Sequence, residues 1–435
     1  MAFKVLKRDS GLVGIDFGTT GIKILQVTTG DNPQITRMGF LEFPLKERES
    51  FQSRLEFARK NLPRLISKLH LRGARSACSI PPSLTVIQHV KTSRAIGSEL
   101  DALVREEFVK AVPCNLDAIV LRHLQIPPEQ NRSPSQVESI CMAVSRSNVM
   151  QLVRLQKECR LLPAAMHAEP LATIYAFDHI TQRADDSEMT TLYLDVGGGL
   201  TKVVIAHGKE LVFTKSIPVA GKQFDQKACE QVGGDIALAH KHRLAAGSVV
   251  RRSKSTGETR NPDSALQSEH ALQYGNQAAG ASLSEAAAGS DLQQKFRDTG
   301  AVSTMEQDRR RGILPPEMRS LDENSGRAVD PDDPLSIDLT DQLDILADEV
   351  SMCVRYHQSC FPQRRIDRAI FLGGESVSVD LCQHIARKLR LRAHLGDPLA
   401  RLARHPHMIT HGVEESRTYP GWAVPLGLCV GPTDI

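Results

Sequence analysis

Along most of the chain, short apolar runs alternate with longer stretches in which apolar residues return every three or four positions. GLVGIDFG reads as a buried strand running into a Gly-Thr turn, and IKILQVTT as the strand returning from it. Over 49–71, Phe51, Leu55, Phe57, Leu62, Leu65, Ile66 and Leu69 mark one face of a helix. SACSIPPSLTVIQHVKT and AIVLRHLQIP read as strands on either side of a helix at SELDALVREEFVKAV, and ESICMAVSR as a further strand. Helices are predicted over 147–159, 168–178, 337–358 and 379–389. LYLDVGGGLTKVVIAHG is a second strand–turn–strand, and AIFLGGE a strand. Strands interleaved with helices imply an α/β protein with mixed sheets.

One stretch breaks the pattern. The 88 residues 247–334 hold 12 Ile, Leu, Val or Phe, about 14%, below the level at which disorder is expected. Neither a period of 2 nor one of 3.6 is visible, and 11 basic residues nearly cancel 14 acidic ones. Such a segment buries too little apolar surface to offset its ordering entropy. A long insertion within a domain is nevertheless tolerable, because closure entropy grows only slowly with loop length. The reading is a disordered insertion, with short helices near 283–296.

The chain also repeats itself. Residues 11–27, GLVGIDFGTTGIKILQV, match 191–207, TLYLDVGGGLTKVVIAH. In each, an apolar strand ends in Asp, with Gly two positions on and Lys seven positions on. The residues are Asp16, Gly18 and Lys23, then Asp195, Gly197 and Lys202, offset by 179 throughout. Glycine-containing turns expose successive backbone N–H groups that form an anion-binding concavity. Glycines 18, 21 and 197–199 let that backbone approach an anion without a Cβ in the way. A carboxylate at each strand tip repels a bare phosphate, but suits a Mg²⁺ whose waters lie between the carboxylates and the phosphates.

Composition narrows the choice. Lys plus Arg number 54 against 51 Asp plus Glu, a net charge of +3. That is too little for a nucleic-acid footprint. Aromatics at 4% argue against base-stacking platforms. No apolar run approaches the length of a membrane span, and the N-terminus lacks the apolar stretch of a signal peptide. The 9 cysteines are scattered without one CxxC, which fits reduced thiols better than disulfides or zinc. Cys353 and Cys360 are read as core residues. His167 and His179 are read as surface or satisfied, and His405, His407 and His411 lack the spacing of a metal site.

On these motifs the chain resembles the actin-like ATPase superfamily, whose members clamp a nucleotide between two related domains. IDFGTTGIK looks like the first phosphate motif and LDVGGGLTK like the second. AEPLATIYAF looks like a connecting helix, with Glu169 standing where DnaK-type chaperones carry a metal-site Glu. AIFLGGESVSVDLCQHIARKL looks like the adenosine motif, and WAVPLGLCV like the second connecting helix. Within the superfamily the chain is similar to the PilM family of type IV pilus assembly proteins, relatives of FtsA. The passages carrying this are 75–167, 213–244 and FLGGESVSVDLCQHIARKLRLRAHLGDPLARL. Glu375, Ser376, His240, Arg243 and Ala220 depart from the family pattern around the adenosine.

The resemblance implies an actin-like fold of two related mixed-sheet domains around a nucleotide cleft, with an FtsA/PilM-type extra subdomain. The first domain would begin at 1–74, with the extra subdomain at 75–167 and the connecting helix and second domain at 168–246. The insertion would occupy 247–334, and 335–435 would complete the second domain and send its last helix back to the first. ATP and Mg are the implied cofactors. Gly18, Thr19, Thr20, Lys23, Gly197, Gly198, Gly199, Thr201, Arg243, Gly373 and Gly374 would bind nucleotide. Asp16 and Asp195 would order the metal, with Glu169 the residue placed to orient water. At most a weak ATPase is expected. The implied role is a cytoplasmic scaffold held peripherally at the inner membrane by the N-terminal segment of a single-pass, PilN-like pilus protein. Self-association is left open, and no nucleic acid or direct membrane insertion is expected. Two alternatives are weighed. A small-molecule kinase of the superfamily needs a general-base Asp, and Asp101 and Asp117 fall in the extra subdomain. An FtsA-like filament former needs a basic amphipathic C-terminal helix, where this chain ends in GLCVGPTDI.

Overall fold

Two sheets built to the same plan organise the protein. The computed structural model describes residues 10–30, 32–127, 135–178, 188–246, 248–249, 318–321, 337–416 and 418–433. Most of the segment predicted to be a disordered insertion, 247–334, lies outside the described residues, as do the helices anticipated at 283–296 and His179.

In the first sheet, β1 (Ser10–Phe17), β2 (Gly21–Thr28) and β3 (Gln34–Glu42) form an antiparallel meander. β4 (Arg75–Ile80) adds parallel to β1, and β8 (Leu162–Ala168) parallel to β4. β17 (Ala403–His411) closes the other edge beside β3. The second sheet repeats the order. β9 (Thr190–Val196), β10 (Thr201–His207) and β11 (Glu210–Ile217) form the meander. β15 (Arg368–Leu372) and β16 (Ala393–Gly396) then add in parallel. β13 (Met318–Ser320) lies antiparallel beside β16.

The helix predicted at 49–71 runs Phe51–Lys68, capped by the Ser50 hydroxyl, which accepts from the Ser53 amide at 3.0 Å. Its Leu55, Leu62, Leu65 and Ile66 pack on Val13, Ile15, Ile22 and Ile24 of the first sheet. Leu152 and Leu155, from helix Arg146–Glu158, join the same core. The helix predicted from residue 337 begins at Thr340, because β14 (Ile337–Asp338) pairs instead with β12 (Ser248–Val249). Cys353 and Cys360 are buried in the core of the second domain.

A smaller three-stranded sheet is separate in its strand pairing but packs one face against the second domain, with His89 of the small sheet 5.3 Å from Phe213 between ring centroids. It comprises β5 (Thr85–Ser93), β6 (Ile119–Gln125) and β7 (Gln136–Ser145), covered by helix Gly97–Ala111. Val104 and Phe108 of the helix meet Val90, Val137 and Cys141 in a core of their own. This unit is narrower than 75–167, since β4, β8 and helix Arg146–Glu158 belong to the first sheet and its core.

Helices Glu169–Ala176 and Ala423–Val430 cross in close contact. A Cβ on Gly427 would collide with the Ala172 carbonyl, so the crossing depends on glycine. Gly14 plays the corresponding part in β1, where a Cβ would strike the Pro425 carbonyl.

Candidate functional site

The two hairpin tips meet. Each turn is closed by the same bond, Gly18 N–H to the Gly21 carbonyl at 3.1 Å and Gly197 N–H to the Leu200 carbonyl at 3.2 Å. Those pairs keep the 179-residue offset, as do the cross-strand partners Asp16–Lys23 and Asp195–Lys202. A Cβ on Gly199 would lie 2.6 Å from Thr19 Oγ1, and one on Gly198 would overlap the Thr20 methyl. The tips therefore touch through threonine on one side and bare backbone on the other. The amides of Gly18 and Gly197 are engaged within their own turns. Those of Thr19, Thr20, Gly198 and Gly199 make no hydrogen bond among the described residues and are available to an anion. Thr201 is a framework residue, its hydroxyl donating to the Val219 carbonyl at 2.6 Å.

Behind the tips lies a buried charge cluster. Asp16, Glu169 and Asp195 are 5%, 3% and 7% exposed. Asp16 accepts from the Ser79 hydroxyl at 3.2 Å and pairs with Lys23 Nζ at 3.3 Å. Ser79 in turn accepts from the Phe17 amide at 3.0 Å, which fixes the strand tip to its neighbour. Lys202 Nζ lies 2.5 Å from Glu169 Oε2 and 2.7 Å from Asp195 Oδ2, bridging the two carboxylates. Burial alone would lower the Lys202 pKa, but Asp195, Glu169 and Asp16 more than offset it and raise it. Burial raises that of Glu169 against the pull of Lys202. Arg54, itself buried, donates to the Gly18 carbonyl at 3.1 Å. Among the described residues, three acids thus face three cations.

This donor set bears on the magnesium expectation. Oxygen ligands of Asp195 and Glu169 are already bridged by an ammonium, so a divalent ion between them does not fit without displacing Lys202. Among the described residues there is no cluster of three or more His, Cys, Asp or Glu with the geometry to hold a metal ion.

The far end of the cleft is formed by the loop after β15. Gly373 has φ +91°, and a Cβ there would lie 2.5 Å from Asp195 Oδ1 and overlap the Val196 carbonyl. Its amide donates to the Pro420 carbonyl at 3.1 Å, joining this loop to the segment before helix Ala423–Val430. Gly374 follows in open space. Helix Gly221–Val232 starts against the second tip, its Gly221 and Lys222 amides donating to the Gly197 and Gly198 carbonyls at 3.0 and 2.7 Å. Arg243 is held by two acids. Its Nε donates to Asp225 Oδ1 at 2.7 Å, and its Nη1 and Nη2 reach Glu375 at 2.7 and 3.2 Å. His240 completes the network through Asp225 at 2.8 Å. A Cβ on Gly221 would overlap Glu375 Oε1, so the network leans directly on the start of that helix.

The structure therefore gathers Asp16, Gly18, Thr19, Thr20, Lys23, Glu169, Gly197, Gly198, Gly199, Gly373 and Gly374 around the meeting point of the two hairpin tips. Arg243 lies at its edge, engaged by acids. Five partners were not assigned a role from the sequence: Lys202, Arg54, Ser79, Asp225 and Glu375. Lys202 carried a signal in the repeat, since a residue seven after the strand-tip Asp faces it across the hairpin. Arg54, Ser79 and Asp225 approach from distant parts of the chain and carry none, and Glu375 is visible in sequence only as a departure from the family pattern.

Comparison with known proteins agrees with the fold. A solved PilM–PilN type IV pilus biogenesis complex superimposes with a TM-score of 0.65 at 14% identity, covering 97% of this chain and 99% of that one. MreB5 of Spiroplasma citri bound to ADP gives 0.43 at 11% identity, covering 89% of this chain and 92% of that one. The family model described as type IV pilus assembly protein PilM matches residues 14–247, more than half of the sequence. The fold is that of the actin-like ATPases, and the chain belongs to the PilM family of type IV pilus assembly proteins.

Proposed function

We propose that this protein is a nucleotide-binding scaffold of a type IV pilus assembly platform, cytoplasmic and tethered to the inner membrane by a partner. The observation that carries the nucleotide half is the pair of hairpins with identical turn bonds and registers, facing each other tip to tip. The amides of Thr19, Thr20, Gly198 and Gly199 would hold phosphate oxygens, with Lys23 as the adjacent cation. Gly373 and Gly374 would make room for the adenosine. Thr201 and Arg243 would act by shaping the walls. Titration calorimetry with ATP should give one site per chain, and no heat of binding would remove this half of the reading.

The partner half rests on family membership and on the likeness to a protein solved as a PilM–PilN complex. No helix among the described residues is long and apolar enough to cross a membrane, which is consistent with attachment through another protein. The held object would be the short N-terminal segment of a single-pass, PilN-like membrane protein. Its groove would lie between the small sheet and the first domain. Apolar side chains stand open on that unit, Val86 at 45% and Ile96 at 84% exposure. A tagged chain purified from detergent-solubilised native membranes should retain such a protein, with cross-links falling in 85–145. Cross-links confined to 247–334 would move the partner site to that segment. Hydrolysis would be slow, because positioning and electrostatics dominate phosphoryl transfer and Glu169 is engaged by Lys202. Turnover faster than about one per second would show otherwise.

A further inference from the structure

We propose that Lys202 is a built-in substitute for a divalent cation, and that the carboxylates of Asp16, Glu169 and Asp195 form no metal site while it is present. The geometry points there directly. The ammonium contacts one oxygen each of Asp195 and Glu169, at 2.7 and 2.5 Å, from a side chain 14% exposed. Glu169 opens helix Glu169–Ala176, while Asp195 lies near the end of β9. A cation that bridges a helix-start carboxylate and a strand-tip carboxylate holds the connecting helix to the second sheet. A bound metal ion would make the same link.

The local charges also close without a metal. Asp16, Glu169 and Asp195 are balanced by Lys202 and Arg54 within the buried region and by Lys23, 20% exposed, at its margin. Three buried carboxylates with fewer cations would leave an uncompensated, desolvated charge, which is what drives ion uptake at an acidic site. That drive is absent here. Removing the Lys202 charge while keeping its stem should restore it. The consequence for nucleotide, which rests on the function proposed for the cleft, is that any Mg²⁺ there would be held by phosphate oxygens and waters rather than by these side chains.

The test uses the full chain without nucleotide and Mn²⁺ as the probe, followed by electron paramagnetic resonance and calorimetry. Wild type should show no stoichiometric Mn²⁺ site. K202M should gain one, with affinity roughly 100-fold above any residual wild-type binding, the order expected on removing a unit charge a few ångströms away. K202M should also melt at a lower temperature than wild type and recover on adding Mn²⁺, whereas the wild-type melt should not respond. The variant K202M/E169Q removes one charge of each sign, is easier to fold, and should not gain the site. A stoichiometric Mn²⁺ site in wild type that disappears in D195N would overturn the proposal without recourse to any Lys202 variant. So would a folded K202M that takes up no Mn²⁺. The Mn²⁺ result stands whether or not the protein binds ATP. A chain that binds neither ATP alone nor ATP with Mg²⁺ would overturn the nucleotide reading and leave the Lys202 result to be read by itself.

Discussion

Replacing Arg243 by methionine should be among the most destabilising single changes in the second domain. The guanidinium is 5% exposed and lies between two carboxyl groups whose side chains are 8% and 13% exposed. It makes three charge-assisted hydrogen bonds, two of them in a bidentate pair with Glu375. Burial alone would lower its pKa, but Glu375 and Asp225 more than offset that. Methionine keeps much of the stem volume and leaves Glu375 without its counter-charge and Asp225 with only His240. Breaking a buried pair in this way costs about 3–5 kcal/mol. Glu375→Gln keeps one acceptor and should cost less, about 1–2 kcal/mol. Because the two residues share hydrogen bonds, the double variant should fall short of the sum by about 1–3 kcal/mol. Urea unfolding is well suited to the measurement, since the single Trp422 is buried at the start of helix Ala423–Val430, close to the Gly373 loop. Its emission and circular dichroism should give coincident transitions before any free energies are compared. Stability of Arg243→Met within about 1 kcal/mol of wild type, together with lost ATP affinity, would refute this reasoning. Arg243 would then be a ligand contact and not a structural tie.

Gly199→Val should weaken ATP binding and lower stability by about 1–3 kcal/mol, because its side chain would push Thr19 from the opposite tip; calorimetry and thermal melts read both effects. Lys23→Ala should cut ATP affinity while lowering the melting temperature less than Lys202→Met does, since the lysine is 20% exposed and its pairing with Asp16 is long at 3.3 Å. Equal ATP affinity in that variant would exclude Lys23 from the phosphate site. The buried His207–His357 pair shares one hydrogen bond between Nε2 atoms at 2.8 Å. Burial pushes their pKa values down to about 3 and about 4, the His207 value with help from His357. Both rings are therefore neutral when folded, and the unfolded chain takes up protons first. Stability from this pair is complete above the ordinary value of 6.5 and is lost as pH falls from there toward about 4. Between pH 7 and pH 5 the loss should be about 2 kcal/mol per ring. His357→Gln should flatten the acid side of the melting profile, and an unchanged profile would count against the pair.

What was legible in the sequence was what lies close along the chain or repeats. The helix at Phe51–Lys68 follows from its apolar spacing, whereas its start at the Ser50 cap shows only in the structure. The two hairpins follow from their apolar strands and glycine tips, and their equivalence from the constant offset of 179. Cross-strand pairing at a tight turn makes residues seven apart into neighbours, so the spacing alone is enough to match Asp16 with Lys23. The limits were equally physical. Nothing in the apolar pattern separates β4 from the small sheet, since both are short strands, and only pairing with β1 assigns it to the first domain. Ile337–Asp338 has helix-compatible residues, yet its backbone is taken up by Ser248–Val249. Glu375 departs from the family's neutral residue, and in sequence it looks like an obstacle to adenosine. Its partner Arg243 lies 132 positions away, so the compensation is invisible until the chain is folded.

The two halves are alike in their sheets and unlike in their charges, and the difference traces to one residue. The helix that follows β8 opens with Glu169, whereas the helix that returns at the C-terminus opens with Ala423. Only one half therefore receives a carboxylate from such a helix. The lysine of that half, Lys202, is drawn inward and bridges two acids at 2.5 and 2.7 Å. Among the described residues its counterpart Lys23 pairs with one acid, Asp16, which it meets at 3.3 Å while also sharing that acid with Ser79. The same cross-strand position thus gives a structural tie in one hairpin and a more weakly held cation in the other. A duplicated hairpin can divide its labour in this way without altering the backbone: one lysine ties the helix opened by Glu169 to the second sheet, and the other, 20% exposed, is the one proposed to meet an anion at the tips.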